Sequence, residues 1–159
     1  MSPGVLPTSA TIEEQPPEHT LLSQDFHIQG RDFSNAGNVS TEIKEILKKI
    51  GIDSQISRRV AISTYEGELN VIMHANQGTA RLIVSPTAIE VIIKDQGPGI
   101  PDIEMAMQEG FTTASEEMRA MGFGSGMGLP NINKNTDELR IESKINDGTT
   151  VYMKFNIEK

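Results

Sequence analysis

The stretch Ile89-Glu90-Val91-Ile92-Ile93-Lys94-Asp95-Gln96-Gly97-Pro98-Gly99 joins an apolar, β-branched run to an acidic residue and two glycines that bracket a proline. The run predicts a largely buried strand, which stops where the glycines allow a tight turn. At that strand end the Asp95 carboxylate can accept a hydrogen bond from an exocyclic amine, while a flat ring lies over the glycine backbone. The stretch therefore favours adenine over guanine as a ligand. Taken alone, an ordinary strand followed by a β-turn is an equally good interpretation.

The composition limits the kind of protein. The 159 residues suffice for one domain, and the absence of Trp leaves Ile, Leu, Val, Met and Ala to build its core. The net charge of −8 argues against a nucleic-acid partner, because phosphate backbones bind Lys and Arg. The lack of Cys excludes disulfides and thiolate metal sites, and three scattered His disfavour a structural zinc. We see no signal-peptide pattern and no apolar stretch of bilayer length, so we expect a cytoplasmic protein without membrane contacts.

The chain divides into a leader and one domain. Residues 1–20 are rich in Pro, Ser, Thr and Glu, which predicts a flexible leader, and residues 21–159 are predicted to form the domain. Its predicted elements are a strand over 22–29, a helix from Ser40 or Thr41 to Ile50, a helix over 54–74, a hairpin of strands 80–85 and 89–94, a helix over 129–136, and a hairpin of strands 138–143 and 149–155. The glycine-rich stretch 100–128 predicts a mobile region.

The long predicted helix carries a polar face. Glu66, Asn70 and His74 are spaced by four residues, so they lie on one side of the helix, one turn apart. An Asn oxygen suits a hard cation such as Mg²⁺, and a Glu one turn away can activate a hydroxyl for attack on a phosphoryl group. For the helix alone, a solvated face with ordinary hydrogen bonds is the more common explanation.

A run of alternating glycines, Gly122-Phe123-Gly124-Ser125-Gly126-Met127-Gly128, precedes the helix predicted over 129–136. Backbone N–H groups in such a loop and at a helix N-terminus can cradle phosphates. The run is not a P-loop, because no Lys-Ser or Lys-Thr follows it, and no strand enters it directly as in a dinucleotide-binding fingerprint. A flexible hinge explains the run alone equally well.

Together the three signals are more specific than any one of them. In chain order they are Glu-x-x-x-Asn on a helix, Asp-x-Gly-x-Gly after a strand and Gly-x-Gly-x-Gly before a helix, followed by Asp147-Gly148-Thr149. This arrangement resembles the GHKL (Bergerat-fold) ATPase superfamily. Within it, the chain is similar to the small bacterial anti-sigma factor and stressosome switch serine/threonine kinases, over about residues 21–159.

The resemblance implies roles for particular residues. Glu66 would be the catalytic base, Asn70 would bind Mg²⁺ and ATP, and Asp95 would hold the adenine amine with support from Thr149. Further ATP contacts are implied for His74, Gly97, Gly99, Thr113, Gly124, Ser125, Gly126, Met127 and Gly128. Some anti-sigma kinases have an Arg at the position of Gly124, where it can reach the terminal phosphate; here the nearest candidate is Arg119.

The implied fold is an α/β two-layer sandwich (α+β), with a mostly antiparallel sheet covered on one face by helices and a Gly-rich ATP lid. The implied function is an ATP- and Mg²⁺-dependent protein serine/threonine kinase of the anti-sigma regulatory factor type. Its partner would be a small bacterial regulator of the STAS type, an anti-sigma antagonist or another sigma-factor regulator, and a homodimer is a further possibility. Two other functions stay open, namely a histidine-kinase-like catalytic domain acting in trans and a nucleotide-gated binding module without phosphotransfer.

Overall fold

The computed structural model describes residues 5–6, 19–110, 112, 114–116, 118 and 127–157, with residues 5–6 described by their backbone only. Within these ranges, six strands form one sheet in the order β1-β5-β6-β4-β3-β2. The strands are β1 (Val5–Leu6), β2 (Leu22–Gln29), β3 (Gln77–Val84), β4 (Ala88–Asp95), β5 (Glu138–Lys144) and β6 (Gly148–Asn156). All neighbouring pairs are antiparallel except β1 with β5, which is parallel.

Helices cover one face of this sheet. They are α1 (Asn38–Lys49), α2 (Ser54–His74), the short α3 (Ile103–Ala106) and α4 (Gly128–Asn135), with a 3₁₀ turn at Phe33–Asn35. The core lies between the two layers, where apolar side chains of the strands meet the apolar stripes of α1, α2 and α4. Its fully buried members include Ile43, Leu47, Val60, Leu82, Val91, Ile132, Leu139 and Met153. Across the helices described, none has the length and apolar character needed to cross a membrane.

The predicted two-layer α/β architecture is confirmed, including both hairpins and the 54–74 helix. Among the strands described, β2 lies at the sheet edge and pairs with β3 alone, as the alternation of its sequence predicts. Of the predicted flexible leader, the structure describes Val5–Leu6, which pair with β5, and residues 19–20. The boundary of that leader stays a prediction.

The predicted start of α1 at Ser40 or Thr41 is wrong. The helix begins at Asn38 after Gly37, which has a φ of 96°, and no side chain of its own segment caps it. The cap comes from α2, where the Glu68 carboxylate accepts hydrogen bonds from the backbone N–H of Gly37 (3.1 Å), Val39 (3.3 Å) and Ser40 (3.1 Å). A carboxylate at this end also complements the helix dipole.

Glu68 is only 2% exposed, and its burial raises the pKa of the carboxyl above 4.5 despite the N–H donors, which lower it. The residue links α1 to the helix that carries Glu66 and Asn70. Because the pKa of Glu68 is higher in the folded state than in the unfolded state, protonation of this carboxyl favours folding. That contribution to the free energy of unfolding is complete below the unfolded-state pKa and is lost as pH rises through the folded-state pKa.

Replacing Glu68 with Ala is expected to lower the free energy of unfolding by about 2–4 kcal/mol, because it leaves buried N–H groups unpaired and opens a cavity. Urea unfolding measures this, with Glu45→Ala on the exposed side of α1 as the control, which should change stability by less than about 0.5 kcal/mol. The difference in free energy of unfolding between wild type and Glu68→Ala should become smaller as pH rises above 4.5. Equal effects of the two substitutions would refute the capping role.

Candidate functional site

Asp95 ends β4, and the neighbouring strand β6 begins beside it. The backbone N–H of Thr149 donates to Asp95 Oδ1 at 3.1 Å. The Thr149 side chain in turn forms a 2.8 Å hydroxyl–hydroxyl hydrogen bond with Ser143 of β5. Burial raises the pKa of Asp95, although hydrogen bonds from the backbone of Thr149 and Gly97 oppose the shift. One carboxylate oxygen is therefore fixed by protein, and the group is held in a partly desolvated position suited to a single specific hydrogen bond.

The turn after Asp95 closes against the β5–β6 turn. Asn146 N–H donates to Pro98 O at 2.8 Å, and the nearest atoms to a Cβ at Gly99 belong to the backbone of Lys144 and Ile145. A cleft of about 540 Å³ opens beside this junction, lined in part by His74, Gln96 and Gly97. Gly97 lies on the wall of the cleft, and a Cβ there would come within 3.1 Å of Asp95 Oδ1 and of the Ala75 Cβ.

Gly148 is the tightest position of the junction. Its φ is 110°, and a Cβ there would overlap the carbonyl oxygen of Asp95. Only glycine lets β6 start so close to the end of β4, because other residues disfavour this backbone region and would add an atom to it.

Replacing Gly148 with Ala is expected to destabilise the protein by about 3–4 kcal/mol, because the added methyl displaces Asp95. Gly51→Ala is the matched control, since Gly51 also has a positive φ, of 86°, but a Cβ there has nothing within 4 Å. That control isolates the backbone cost, which is about 1–2 kcal/mol. Thermal unfolding measures the loss of stability in each variant. Equal losses in Gly148→Ala and Gly51→Ala would show that the contact with Asp95 is unimportant.

A second group of side chains lies where α2 passes the start of α4. Glu66 and Asn70 are half-buried on α2 and both face Gly128 of α4. A Cβ on Gly128 would lie 3.6 Å from Asn70 Oδ1 and 3.8 Å from Glu66 Oε1. The first helical residue of α4 thus approaches both polar side chains, and Met127 precedes it as the N-cap.

His74, at the C-terminal end of α2, contributes an imidazole to the wall of the cleft. Burial lowers its pKa, and the positive charge of Arg31 lowers it further. The ring is therefore neutral at neutral pH and acts as an uncharged hydrogen-bonding group.

The donors present suit Mg²⁺ better than a tightly held transition metal. Among the residues described, no group of three or more His, Asp or Glu could enclose a metal ion. Mg²⁺ takes few protein ligands and completes its shell with water and phosphate oxygens. The Asn70 amide oxygen and the Glu66 carboxylate, which both lie near Gly128, are donors of the kind that Mg²⁺ accepts.

The structure locates most of the predicted site residues in two adjoining groups. His74 and Gly97 line the cleft, and Asp95, Gly99 and Thr149 belong to the junction of strand ends and turns beside it. Glu66, Asn70, Met127 and Gly128 lie where α2 meets α4. The predicted ATP contacts Thr113, Gly124, Ser125 and Gly126, together with Arg119, lie outside the described residues. Their roles stay predictions.

Two residues near the site were not predicted from the sequence. Ser143 joins the two turns, because its hydroxyl accepts from Ile100 N–H at 2.7 Å and bonds to Thr149. Asn131 donates from Nδ2 to Glu66 Oε2 at 2.9 Å. The only available signal for Asn131 was its place one turn after Gly128 on a helix that approaches the Glu66 face.

Comparisons with known proteins identify the family of this chain. The family model described as histidine kinase-like ATPase domain matches residues 32–155. An anti-sigma F factor of Geobacillus kaustophilus is 35% identical over 119 residues, covering 75% of this chain and 70% of that protein. The serine/threonine-protein kinase RsbT of Bacillus subtilis is 28% identical over 112 residues, covering 68% of this chain and 78% of that protein.

A solved structure supports the fold. The crystal structure of the RsbU and RsbW domains of a Mycobacterium tuberculosis protein matches with a TM-score of 0.55 and 15% sequence identity. The match covers 86% of this chain but only 33% of that chain. With the family model and the relatives above, we conclude that this chain belongs to the histidine kinase-like ATPase domain family, in its anti-sigma-factor branch.

Proposed function

We propose that this protein is an ATP- and Mg²⁺-dependent protein serine/threonine kinase that phosphorylates and binds a small regulatory protein of the STAS type. The observation that carries the proposal is the position of Glu66. It lies one helical turn from Asn70 and beside Gly128, at the N-terminus of α4, where a terminal phosphate can be held.

The adenine end of ATP would bind at the cleft. Asp95 would accept a hydrogen bond from the exocyclic amine through the carboxylate oxygen that Thr149 leaves open, and the ring would lie over Gly97. Guanine carries a carbonyl oxygen where adenine carries its amine, and that oxygen cannot donate to the carboxylate. The site should therefore select adenine.

The phosphate end would lie between α2 and α4. Asn70 would hold Mg²⁺ through its amide oxygen, and the bound ion would neutralise phosphate charge. The N-terminal N–H groups of α4 would donate to phosphate oxygens, as helix N-termini do elsewhere. Glu66 would accept the proton of the attacking serine or threonine hydroxyl. Positioning and electrostatic stabilisation then account for most of the rate.

The partner class comes from the relatives. An anti-sigma F factor and the serine/threonine kinase RsbT are both similar to this chain, which supports a regulatory protein as substrate rather than a small molecule. A STAS-type protein with an accessible serine or threonine is the partner we propose. The family resemblance also suggests a homodimer, which sedimentation of the purified protein would test.

The experiment incubates the protein with terminally labelled ATP, Mg²⁺ and a purified serine-bearing STAS-domain protein, and then treats the products with acid. We expect label on the STAS protein that survives acid, because phosphoserine is acid-stable. Label that acid removes would indicate phosphohistidine and a histidine-kinase-like activity. Saturable ATP binding and stable complex formation with no transfer would instead identify a nucleotide-gated binding module.

A further inference from the structure

The hydrogen bond between Asn131 and Glu66 joins the proposed base to the helix beside the phosphates. Asn131 Nδ2 donates to Glu66 Oε2 at 2.9 Å, in a part-buried position. The other oxygen of the same carboxylate, Glu66 Oε1, is the one nearer to Gly128. The two oxygens of one carboxylate therefore have different surroundings, one bonded to protein and the other directed to the start of α4.

The backbone of Asn131 is itself held on both sides. Its N–H donates to Met127 O at 2.8 Å, and its carbonyl oxygen accepts from Asn135 Nδ2 at 2.8 Å. The far end of α4 is bound to α2 as well, because Arg59 Nε donates to Asn135 O at 3.0 Å. The Asn131 amide is thus presented to Glu66 from a helix that is fixed at both ends.

An amide suits this position chemically. It does not ionise in the physiological range, so it cannot compete with Glu66 for the hydroxyl proton, and its N–H₂ is a donor that a carboxylate readily accepts. A base whose orientation is fixed before the substrate arrives loses no rate to rearrangement.

We propose that Asn131 is a positioning residue for phosphotransfer, which holds Glu66 so that Oε1 faces the reacting hydroxyl. The inference rests on the proposed kinase function. The hydrogen bond from Asn131 also makes the position of Glu66 depend on the position of α4. One contact thereby aligns the two helices on either side of the proposed phosphate site.

The test compares Asn131→Asp and Asn131→Ala with wild type, using labelled ATP and the purified STAS-domain protein. Asp has nearly the shape of Asn but presents an acceptor to Glu66, whereas Ala only removes the donor. We expect kcat to fall about 10- to 100-fold, with the larger loss in Asn131→Asp, because a misplaced catalytic group costs up to about 100-fold. The KM for ATP should change less than threefold, because Asn131 lies away from the adenine end of the site.

Lys134→Ala is the control on the same helix, because it removes an exposed ion pair with Glu109 and leaves the contacts of Asn131 and Glu66 in place. It should retain nearly the full kcat. Thermal unfolding of all variants separates loss of fold from loss of positioning, and the Asn131 side-chain amide signal in a ¹H–¹⁵N spectrum reports the contact directly. That signal should shift in Glu66→Gln and stay in place in Glu45→Gln.

The outcomes are distinct. Wild-type kcat in a folded Asn131→Asp variant, or an amide signal that ignores Glu66→Gln, overturns the positioning role and leaves the kinase proposal intact. Absence of transfer by the wild-type protein overturns the proposed function, and the positioning role falls with it, even if the amide signal establishes the contact.

Discussion

Replacing Glu66 with Gln is expected to lower the rate of phosphotransfer by about 10²- to 10⁴-fold, which is the usual contribution of a general base. Gln has the same shape as Glu, and its amide oxygen can still accept the hydrogen bond from Asn131 Nδ2, now 2.9 Å from Glu66 Oε2. The site geometry should therefore survive, and ATP should bind within about threefold of its wild-type affinity. Single-turnover transfer and equilibrium titration with ATP measure the two quantities.

The control for this substitution is Glu45→Gln, which removes one exposed carboxylate of α1 and alters the net charge equally. It should leave both transfer and binding unchanged. A Glu66→Gln protein that transfers phosphate at the wild-type rate would remove Glu66 from the mechanism. A variant that no longer binds ATP would point to a binding role instead.

Replacing Asp95 with Ala is expected to weaken ATP binding by about 10- to 150-fold, because a hydrogen bond to a charged group contributes about 1.5–3 kcal/mol. The loss should appear in KM and be small in kcat at saturating ATP, because the proposed binding mode puts Asp95 at the adenine end of the nucleotide, which does not react. Preference for ATP over GTP should shrink in the same variant. Competition of both nucleotides against a fluorescent ATP analogue measures the change.

The pH dependence of binding offers an independent check on Asp95. Burial raises the pKa of its carboxyl above 3.8, and only the ionised form can accept the adenine amine with full strength. ATP affinity should therefore fall as pH decreases through this raised pKa, at a higher pH than an ordinary Asp would give. Asp95→Ala should lose this pH dependence of ATP affinity. If the affinity of the variant still falls at low pH as in wild type, another group is responsible for the fall.

Much of the architecture was predictable, because the spacing of apolar residues within each segment indicates its secondary structure. The strand that ends at Asp95 is a short apolar, β-branched run, and the 54–74 helix has apolar residues at helical spacing on its buried side. Those patterns depend only on neighbouring residues, so they identify elements from sequence. The glycines at turns were predictable for the same reason, since tight turns need them.

The start of α1 and the contact to Asn131 were not predictable, because each depends on a residue from another element. Glu68 caps a helix whose N-cap residue, Gly37, lies 31 positions earlier in the chain, and Asn131 bonds to Glu66 across 65 positions. Local sequence indicates a helix start through a Ser, Thr, Asp or Asn at the N-cap position. It does not reveal a capping side chain that belongs to another helix. The strand order, which brings Thr149 beside Asp95, likewise depends on how the whole chain packs.

The most direct test of the account is a comparison of wild type, Glu66→Gln and Asp95→Ala in single-turnover phosphotransfer over a range of ATP concentrations with Mg²⁺. We expect Glu66→Gln to saturate with ATP like wild type but to transfer almost nothing. We expect Asp95→Ala to approach the wild-type rate once ATP is raised high enough. Loss of rate in Asp95→Ala that no ATP concentration restores, together with normal transfer by Glu66→Gln, would contradict the assignment of the two ends of the site.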